Sequence, residues 1–246
     1  MKTRLLIMDI LTFVCIQLYA EDRNFDDSEN EYLENLTVCS GVISTSMFNS
    51  QEQFWSHSNV MKLLFGYTEY TGISASYKFT EWVSADAVIM PIDGDKMINY
   101  RLGVTFIPIE GLHLKFYGGL NDCDEIYKSS TINMAAFLGY KCDKFALGAE
   151  LNHTMNSSYT LGKDYYGYSI FASLKMAEFV DFYLRFDDIY SKNNWNLYKD
   201  EQSAVLGLQF KINENITIAP NFKMIVPKAE ELDRSYFAYV SCSINL

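Results

Sequence analysis

Residues 203–246 read SAVLGLQFKINENITIAPNFKMIVPKAEELDRSYFAYVSCSINL, and this stretch decides the fold. Apolar side chains recur at every second position in three successive segments. These positions are Ala204, Leu206, Leu208, Phe210 and Ile212, then Ile216, Ile218, Pro220, Phe222 and Met224, then Tyr236, Ala238, Val240, Cys242, Ile244 and Leu246. Alternation over about ten residues exceeds the roughly five or six of an ordinary strand. It matches the about nine to eleven residues of a strand that crosses a bilayer at a tilt.

The same alternation recurs upstream and predicts about twelve strands, within a range of 10 to 14. The predicted strands lie within 36–48, 62–80, 83–89, 100–106, 112–120, 132–140, 145–151, 166–176 and 180–186, before the three already quoted. Short turns are expected at 81–82, 108–111, 141–144, 177–178 and 213–215, with longer polar loops at the other end of each hairpin. A soluble sandwich would not sort its connections so regularly. The pattern therefore predicts an all-β protein, a transmembrane antiparallel up-and-down β-barrel over 36–246, closed because lipid cannot satisfy a free strand edge.

The first 35 residues divide into two predicted segments. Residues 1–20 carry Lys2 and Arg4, a short apolar run and Ala20 at the break, which is typical of a cleaved signal peptide. A lipid-attached Cys15 and an uncleaved membrane anchor fit this segment less well. Residues 21–35 are strongly acidic and are predicted to form a flexible arm, without the ligand spacing of a calcium loop.

Composition agrees with an exported β-protein. Aromatic residues make up 15% of the chain, and several lie near predicted strand ends, where membrane barrels carry interfacial girdles. These are Trp82, Phe106, Tyr140, Phe145, Tyr166, Phe186 and Phe210. The formal net charge of -11 argues against a nucleic-acid partner, because phosphates require a basic surface.

Four stretches resemble the later strands of Gram-negative porin-type outer-membrane proteins, and are most similar to porin-like barrels of Bacteroidota and related groups. They are residues 72–79 (GISASYKF), 100–116 (YRLGVTFIPIEGLHLKF), 137–150 (FLGYKCDKFALGAE) and 166–175 (YGYSIFASLK). The resemblance implies a bacterial outer-membrane location, contact with outer-membrane lipid, insertion by the barrel-assembly machinery and a role in transport. The chain departs from the family in two ways. It lacks room for sixteen strands, and it ends in Leu246 where the family's recognition signal usually has Phe.

If the apolar faces meet lipid, the opposite faces line the lumen. The predicted pore-lining residues are Arg101, Lys115, Tyr117, Glu150, Lys175, Asp181, Arg185, Asp187, Lys211 and Lys223, together with Asp86, Asn99, His113, Asn133, Asn152, Gln209 and Asn221. Basic side chains predominate among the charged ones, which favours a channel for the passive passage of small polar or anionic solutes. The alternative is a plugged interior whose charges pair across neighbouring strands, because about eight strands give a filled lumen and sixteen a channel.

Other function classes receive less support from the sequence. The histidines His57, His113 and His153 fall in no HExxH or Cys/His metal spacing, so neither an enzyme nor a metal or other cofactor is expected. A barrel lipid hydrolase is the least favoured reading. A closed structural or adhesive barrel remains open, with Trp195 and Tyr198 in the longest loop as candidate partner contacts. Cys39 and Cys242 would lie near the barrel seam and are a candidate disulfide pair, whereas Cys123 and Cys142 would lie at opposite ends, too far apart to bond.

Overall fold

The fold is a single antiparallel sheet of twelve strands. In the computed structural model, the residues described are 35–44, 69–92, 97–123, 128–213 and 216–244. The strands are β1 (Leu36–Ser44), β2 (Glu69–Thr80), β3 (Val83–Ile92), β4 (Met97–Ile109), β5 (Leu112–Cys123), β6 (Thr131–Lys141), β7 (Phe145–Met155), β8 (Tyr165–Ala177), β9 (Val180–Ser191), β10 (Glu201–Lys211), β11 (Ile216–Pro227) and β12 (Ser235–Ile244).

Each strand pairs with its neighbours in sequence, so the order runs from β1 to β12 without a crossover. The strands are 9 to 13 residues long, as the period-2 segments predicted. The all-β class, the up-and-down topology and the count of twelve are thus confirmed. The segment 1–34, with its predicted signal peptide and most of the acidic arm, lies outside the described residues.

Strand boundaries differ from the predictions at several ends; for example, Pro108 and Ile109 were expected in a turn but belong to β4, and β7 continues to Met155. The second strand is described from Glu69, so the proposed start at residue 62 lies outside the described part. Strand β9 continues to Ser191, where the prediction ended it at Phe186. Because the alternation of buried and exposed side chains continues through Asp187 and Ile189, Phe186 lies mid-strand and not in an end girdle.

The connections are sorted by length, as predicted. At one end, short turns are closed by local hydrogen bonds: Thr80 Oγ1 accepts the N–H groups of Trp82 and Val83 at 3.3 and 3.1 Å, and Asn213 Oδ1 accepts the N–H of Ile216 at 2.8 Å. Gly111 adopts φ 81°, which L residues rarely take, in the turn between β4 and β5. At the other end, the loops 156–164 and 192–200 carry short 3-10 turns.

The outward face of the sheet is apolar along its length. Large exposed side chains on this face include Ile73, Ile89, Leu102, Phe116, Leu138, Leu147, Leu151, Ile170, Leu174, Leu206 and Val240. Aromatic rings cluster toward the strand ends, for example Tyr140 with Phe145 at 5.8 Å between centroids near the short turns. An apolar shell with aromatic margins is the surface that a bilayer requires.

The inward face is crowded toward the short-turn end. Phe137, Ala146, Phe171, Tyr183 and Ala219, from five different strands, form one buried cluster against which Val205 packs. Glycines make room for two of the rings. Phe171 lies over Gly148, its neighbour in the β7–β8 ladder, and Tyr183 lies over Gly207 in the β9–β10 ladder. A large ring over a paired glycine lets a curved sheet fill its interior without steric conflict.

Candidate functional site

The lumen is the candidate site, and the structure separates its predicted lining residues into two groups. Six of the ten are buried on the inward face: Arg101, Lys115, Tyr117, Glu150, Arg185 and Asp187. The other four are partly or fully exposed: Lys175, Asp181, Lys211 and Lys223. The ladder register places all ten on the inward face. Lys175, Asp181 and Lys211 lie nearer the short turns than most of the buried residues do, whereas Lys223 does not.

Several lumen charges pair within the barrel. Lys115 Nζ lies 3.2 Å from Asp86 on β3, and Lys211 Nζ lies 2.7 Å from Asp181 on β9. The Arg185 guanidinium holds Asp187 on its own strand, with Nε 2.8 and 2.9 Å from the two carboxylate oxygens. The excess of basic charge expected from the sequence is therefore partly compensated, because each of these cations is offset by a carboxylate.

A second layer of the lumen, nearer the long loops, consists of Arg101 and hydrogen-bonded amide and hydroxyl side chains. Arg101 Nε donates to Asn99 Oδ1 at 2.6 Å, and Asn99 donates in turn to Asn121. On the paired strands β6 and β7, Thr154 Oγ1 donates to Asn133 Oδ1 at 2.7 Å. Amide and hydroxyl side chains that satisfy one another in this way keep a fixed arrangement in a low-dielectric interior.

Glu150 stands apart from these paired charges. It is 1% exposed, and one of its oxygens accepts a hydrogen bond from Asn152 Nδ2 at 2.6 Å. Its other oxygen, Asn152 Oδ1 and Ser169 Oγ have no hydrogen-bond partner among the described residues. Ser169 was absent from the sequence-based lining, although its place in the alternation of β8 already puts it on the inward face.

The inward face is not buried evenly around the sheet. Side chains of β5 to β9 are packed, whereas Ser76 on β2 and Phe237 and Tyr239 on β12 are exposed. The ladder places these three on the inward side, because Tyr239 pairs with buried Asn221 and Ser76 with Asp86. Accessible inward-facing surface among the described residues therefore lies along β12 and β2.

Lysines mark the short-turn mouth of the lumen. Lys78, Lys141, Lys175 and Lys211 are all exposed, and all occupy inward-facing register positions at the ends of their strands. Asp181 is the carboxylate that faces two of them. The turns themselves carry Glu81, Glu110, Asp143 and Glu178 beyond the strand ends.

Two aspartates order the long loops at the opposite end: Asp164 connects two loops, and Asp200 closes one of them. The Asp164 carboxylate accepts a hydrogen bond from the N–H of Asn156 at 3.2 Å and lies 3.1 Å from Lys192 Nζ. The backbone carbonyl of Asp164 accepts a hydrogen bond from the Trp195 indole N–H at 2.9 Å. Asp200 accepts from the Ser191 N–H and hydroxyl at 2.8 and 2.7 Å. Sequence alternation gave no signal for these aspartates because they lie in loops.

The charges of Asp164 and Lys192 stabilise the hydrogen-bonded arrangement of the two loops. Burial by itself would raise the pKa of Asp164, but the hydrogen bonds from Lys192 and Asn156 outweigh burial and lower it below the usual value. The same hydrogen bond raises the pKa of Lys192. Both groups are thus held in their charged forms at neutral pH.

An apolar groove of about 600 Å³ lies on the outer surface between β4 and β8. Its walls include the exposed outward-facing side chains Leu102, Phe116, Met134 and Leu151. Above Gly118 there is open space, since an added Cβ would meet nothing within 4 Å. The groove belongs to the apolar shell, and His153, Tyr166 and Tyr168 add a few polar atoms to its wall.

The two described histidines form no catalytic or metal-binding arrangement. His153 stacks on Tyr166 at 4.3 Å between ring centroids, and Tyr166 stacks on Tyr190 at 5.1 Å. His113 is partly buried on the inward face. Among the described residues, no group of three His, Cys, Asp or Glu side chains is placed to hold a metal ion. No helix in the described part is long and apolar enough to span a membrane.

The cysteines do not pair in the described part of the chain. No disulfide joins Cys39, Cys142 or Cys242, so the suggested Cys39–Cys242 pair is absent. Cys123 ends β5 at the loop end and Cys142 lies in the turn between β6 and β7, so these two are at opposite ends, as predicted.

Fold and lumen together define an outer-membrane-type β-barrel: twelve up-and-down strands, an apolar shell and a polar interior. No protein-family model and no curated protein matches the sequence. Solved structures do match the fold. A loop L8 deletion mutant of OmpT, an outer membrane protein of Vibrio cholerae, superposes with a TM-score of 0.63 at 13% identity, covering 85% of this chain and 75% of that one.

Two further solved structures support the same fold. The outer membrane channel DcaP of Acinetobacter baumannii has a TM-score of 0.62 at 9% identity, over 82% of this chain and 69% of its own. OccK5 (OpdH) of Pseudomonas aeruginosa has a TM-score of 0.56 at 11% identity, over 87% and 68%. At these identities the likeness establishes the architecture alone.

Proposed function

We propose that this chain is a bacterial outer-membrane channel that lets small polar solutes, preferentially anions, diffuse passively. The observation that carries the proposal is the polar inward wall, from Asn99 and Asn121 near the loops to Lys211 at the short turns, inside an apolar shell. A barrel interior lined in this way is typical of water-filled passages. The similar DcaP is itself described as an outer membrane channel.

The path would be narrow and off-centre. Phe137, Phe171 and Tyr183 fill the side of the lumen formed by β6 to β9, while Phe237 and Tyr239 on β12 are exposed. A solute would therefore pass along β12, β1 and β2. The anion preference rests on the four exposed lysines of the short-turn mouth. They outnumber Asp181, the inward-facing carboxylate that pairs with Lys211, and a cationic entrance raises the local concentration of anions.

Liposome swelling tests this function. Vesicles containing the refolded chain should swell faster in glucuronate than in neutral arabinose, although arabinose is smaller, and faster than in protonated glucosamine, which is similar in size to glucuronate. Lys175→Gln combined with Lys211→Gln should reduce the ratio of the glucuronate rate to the arabinose rate by about two- to threefold, since both charges line the mouth. Lys144→Gln, in the turn outside the lumen, is the matched control and should leave the ratio unchanged.

A closed structural or adhesive barrel is the second candidate. It is favoured by the packed aromatic cluster in the lumen and by the loop contacts that hold Trp195 and Tyr198 in defined positions. Absence of swelling in every solute, from protein whose insertion is confirmed by heat-dependent gel migration, would select this candidate. The narrower likeness to Bacteroidota barrels and insertion by the assembly machinery stay predictions.

A further inference from the structure

Glu150 is the charged lumen side chain whose environment the proposed function leaves unexplained. Its carboxylate is almost completely buried, and no Lys or Arg nitrogen among the described residues lies within salt-bridge distance of it. A buried carboxylate without a counter-charge costs several kcal/mol, so such groups normally face a cation or a set of donors.

The nearby arginine does not provide that counter-charge by direct contact. Arg185 Nη2 lies 2.7 Å from Asp187 Oδ1, and Nε bonds both oxygens of the same carboxylate. Arg185 and Asp187 therefore offset one another within β9. The Glu150 carboxyl group has no ion pair of its own among the described residues.

Two neutral polar side chains, Asn152 and Ser169, are neighbours of Glu150 on the inward face. Ser169 is the direct ladder partner of Glu150, so their Cβ atoms are about 5 Å apart. Asn152 is two residues further along β7 on the same face, and its amide nitrogen bonds the first Glu150 oxygen. The second Glu150 oxygen, Asn152 Oδ1 and Ser169 Oγ all lack partners, and the three side chains are 1%, 4% and 1% exposed.

We propose that Glu150, Asn152 and Ser169 form a lumen site for one small monovalent cation, either sodium or a primary ammonium group. A carboxylate, an amide carbonyl and a hydroxyl oxygen are the hard ligands that such cations accept. A single positive charge balances the one uncompensated carboxylate, whereas a divalent ion would leave an excess. The bound cation would also remove the negative charge of Glu150 from the lumen wall.

Thermal unfolding of the refolded full chain in detergent tests the site without relying on transport. At constant ionic strength, replacing N-methylglucamine chloride by sodium chloride should raise the unfolding midpoint by about 5 °C, the shift expected for a ligand well above its dissociation constant. The same unfolding midpoint is also measured with methylammonium chloride in place of N-methylglucamine chloride. A response to sodium alone assigns an ion site, and a response to methylammonium alone assigns a solute-amine site.

Glu150→Gln keeps the shape of the side chain and should abolish the cation-dependent shift. Asp181→Asn removes a lumen carboxylate that already pairs with Lys211, and the shift should persist. If Glu150→Gln fails to refold, Ser169→Ala should weaken the sodium response, and crystals soaked in thallium should show an anomalous peak beside the second Glu150 oxygen.

An unfolding midpoint that is the same in all three salts would overturn the proposal, as would thallium-soaked crystals with no peak at Glu150. Either result would mean that water or a proton satisfies the carboxylate. Both readouts are independent of solute flux. If the chain responds to sodium but does not conduct, the cation site is supported and the channel function is wrong. If it conducts but shows no response to any cation, the channel function is supported and the cation site is wrong.

Discussion

Gly148 on β7 lies beneath the ring of its ladder partner Phe171 on β8. A Cβ at this position would overlap the distal edge of that ring, which is buried within the aromatic cluster of the lumen. The absence of a side chain at Gly148 is thus what allows Phe171 to pack flat against the sheet. Gly118 on β5 faces open space on the outer surface and has no such constraint.

Gly148→Ala should therefore destabilise the barrel by about 1–3 kcal/mol, since extra volume in a packed interior forces rings away from their preferred positions. Gly118→Ala is the matched substitution, and we expect a change near zero because nothing lies within 4 Å of the added methyl group. Urea unfolding in lipid vesicles, followed by intrinsic fluorescence, measures both. Equal effects of the two substitutions would show that Phe171 does not occupy the position described.

Which residues face the lumen could be predicted from the sequence, but which of them are accessible could not. Alternation placed Arg101, Glu150 and Arg185 on the inward face because side chains in a strand alternate strictly. Their pairing depends on how neighbouring strands align and on where glycines admit large rings. Those contacts join residues far apart in the chain, and a period-2 pattern contains no information about them.

At the scale of elements, the loops 156–164 and 192–200 form one hydrogen-bonded unit. Asp164 connects them through Lys192 and Trp195, and Asn156 completes the turn by accepting the Gly162 N–H at 3.0 Å. The cluster is held by charge-assisted hydrogen bonds that require an ionised Asp164. We expect the closed loop arrangement to depend on pH for this reason.

Because the folded-state pKa of Asp164 is lowered, its stabilising contribution is complete above the unfolded value of 3.8 and is lost as the pH falls through the lower folded value. The loops should resist a protease at neutral pH and become susceptible when acidified, as measured by pulse digestion after brief exposure to each pH. Asp164→Asn should be cleaved faster at neutral pH, with little further change in acid. An acid transition of the same size in that variant would contradict this role.

The strands themselves were the most predictable elements. Twelve segments of alternating hydrophobicity correspond to twelve strands, and the short turns at 81–82 and 177–178 were located within about a residue. The predicted alternation of β9 ended at Phe186 because the next position on the same face is Asp188, which is not apolar. In the structure Asp187 is paired with Arg185 and buried, so the strand continues through it.

At the scale of the whole molecule, two features of the barrel act in opposite directions on transport. The polar inward wall and the lysines of the short-turn mouth favour the passage of hydrated anions. The packed cluster of Phe137, Phe171 and Tyr183 narrows the lumen on one side. Twelve strands lie between the filled interior of about eight and the wide channel of sixteen. A twelve-stranded barrel with a partly filled lumen should therefore have a small conductance.

Single-channel conductance of the refolded chain in a planar bilayer under a salt gradient is the most direct test of the channel. We predict discrete steps, smaller than those of a sixteen-stranded porin, with a reversal potential displaced toward that of the anion. Electrical silence from protein whose insertion is confirmed by heat-dependent gel migration would contradict the account. It would make the chain a closed barrel that acts through its loops.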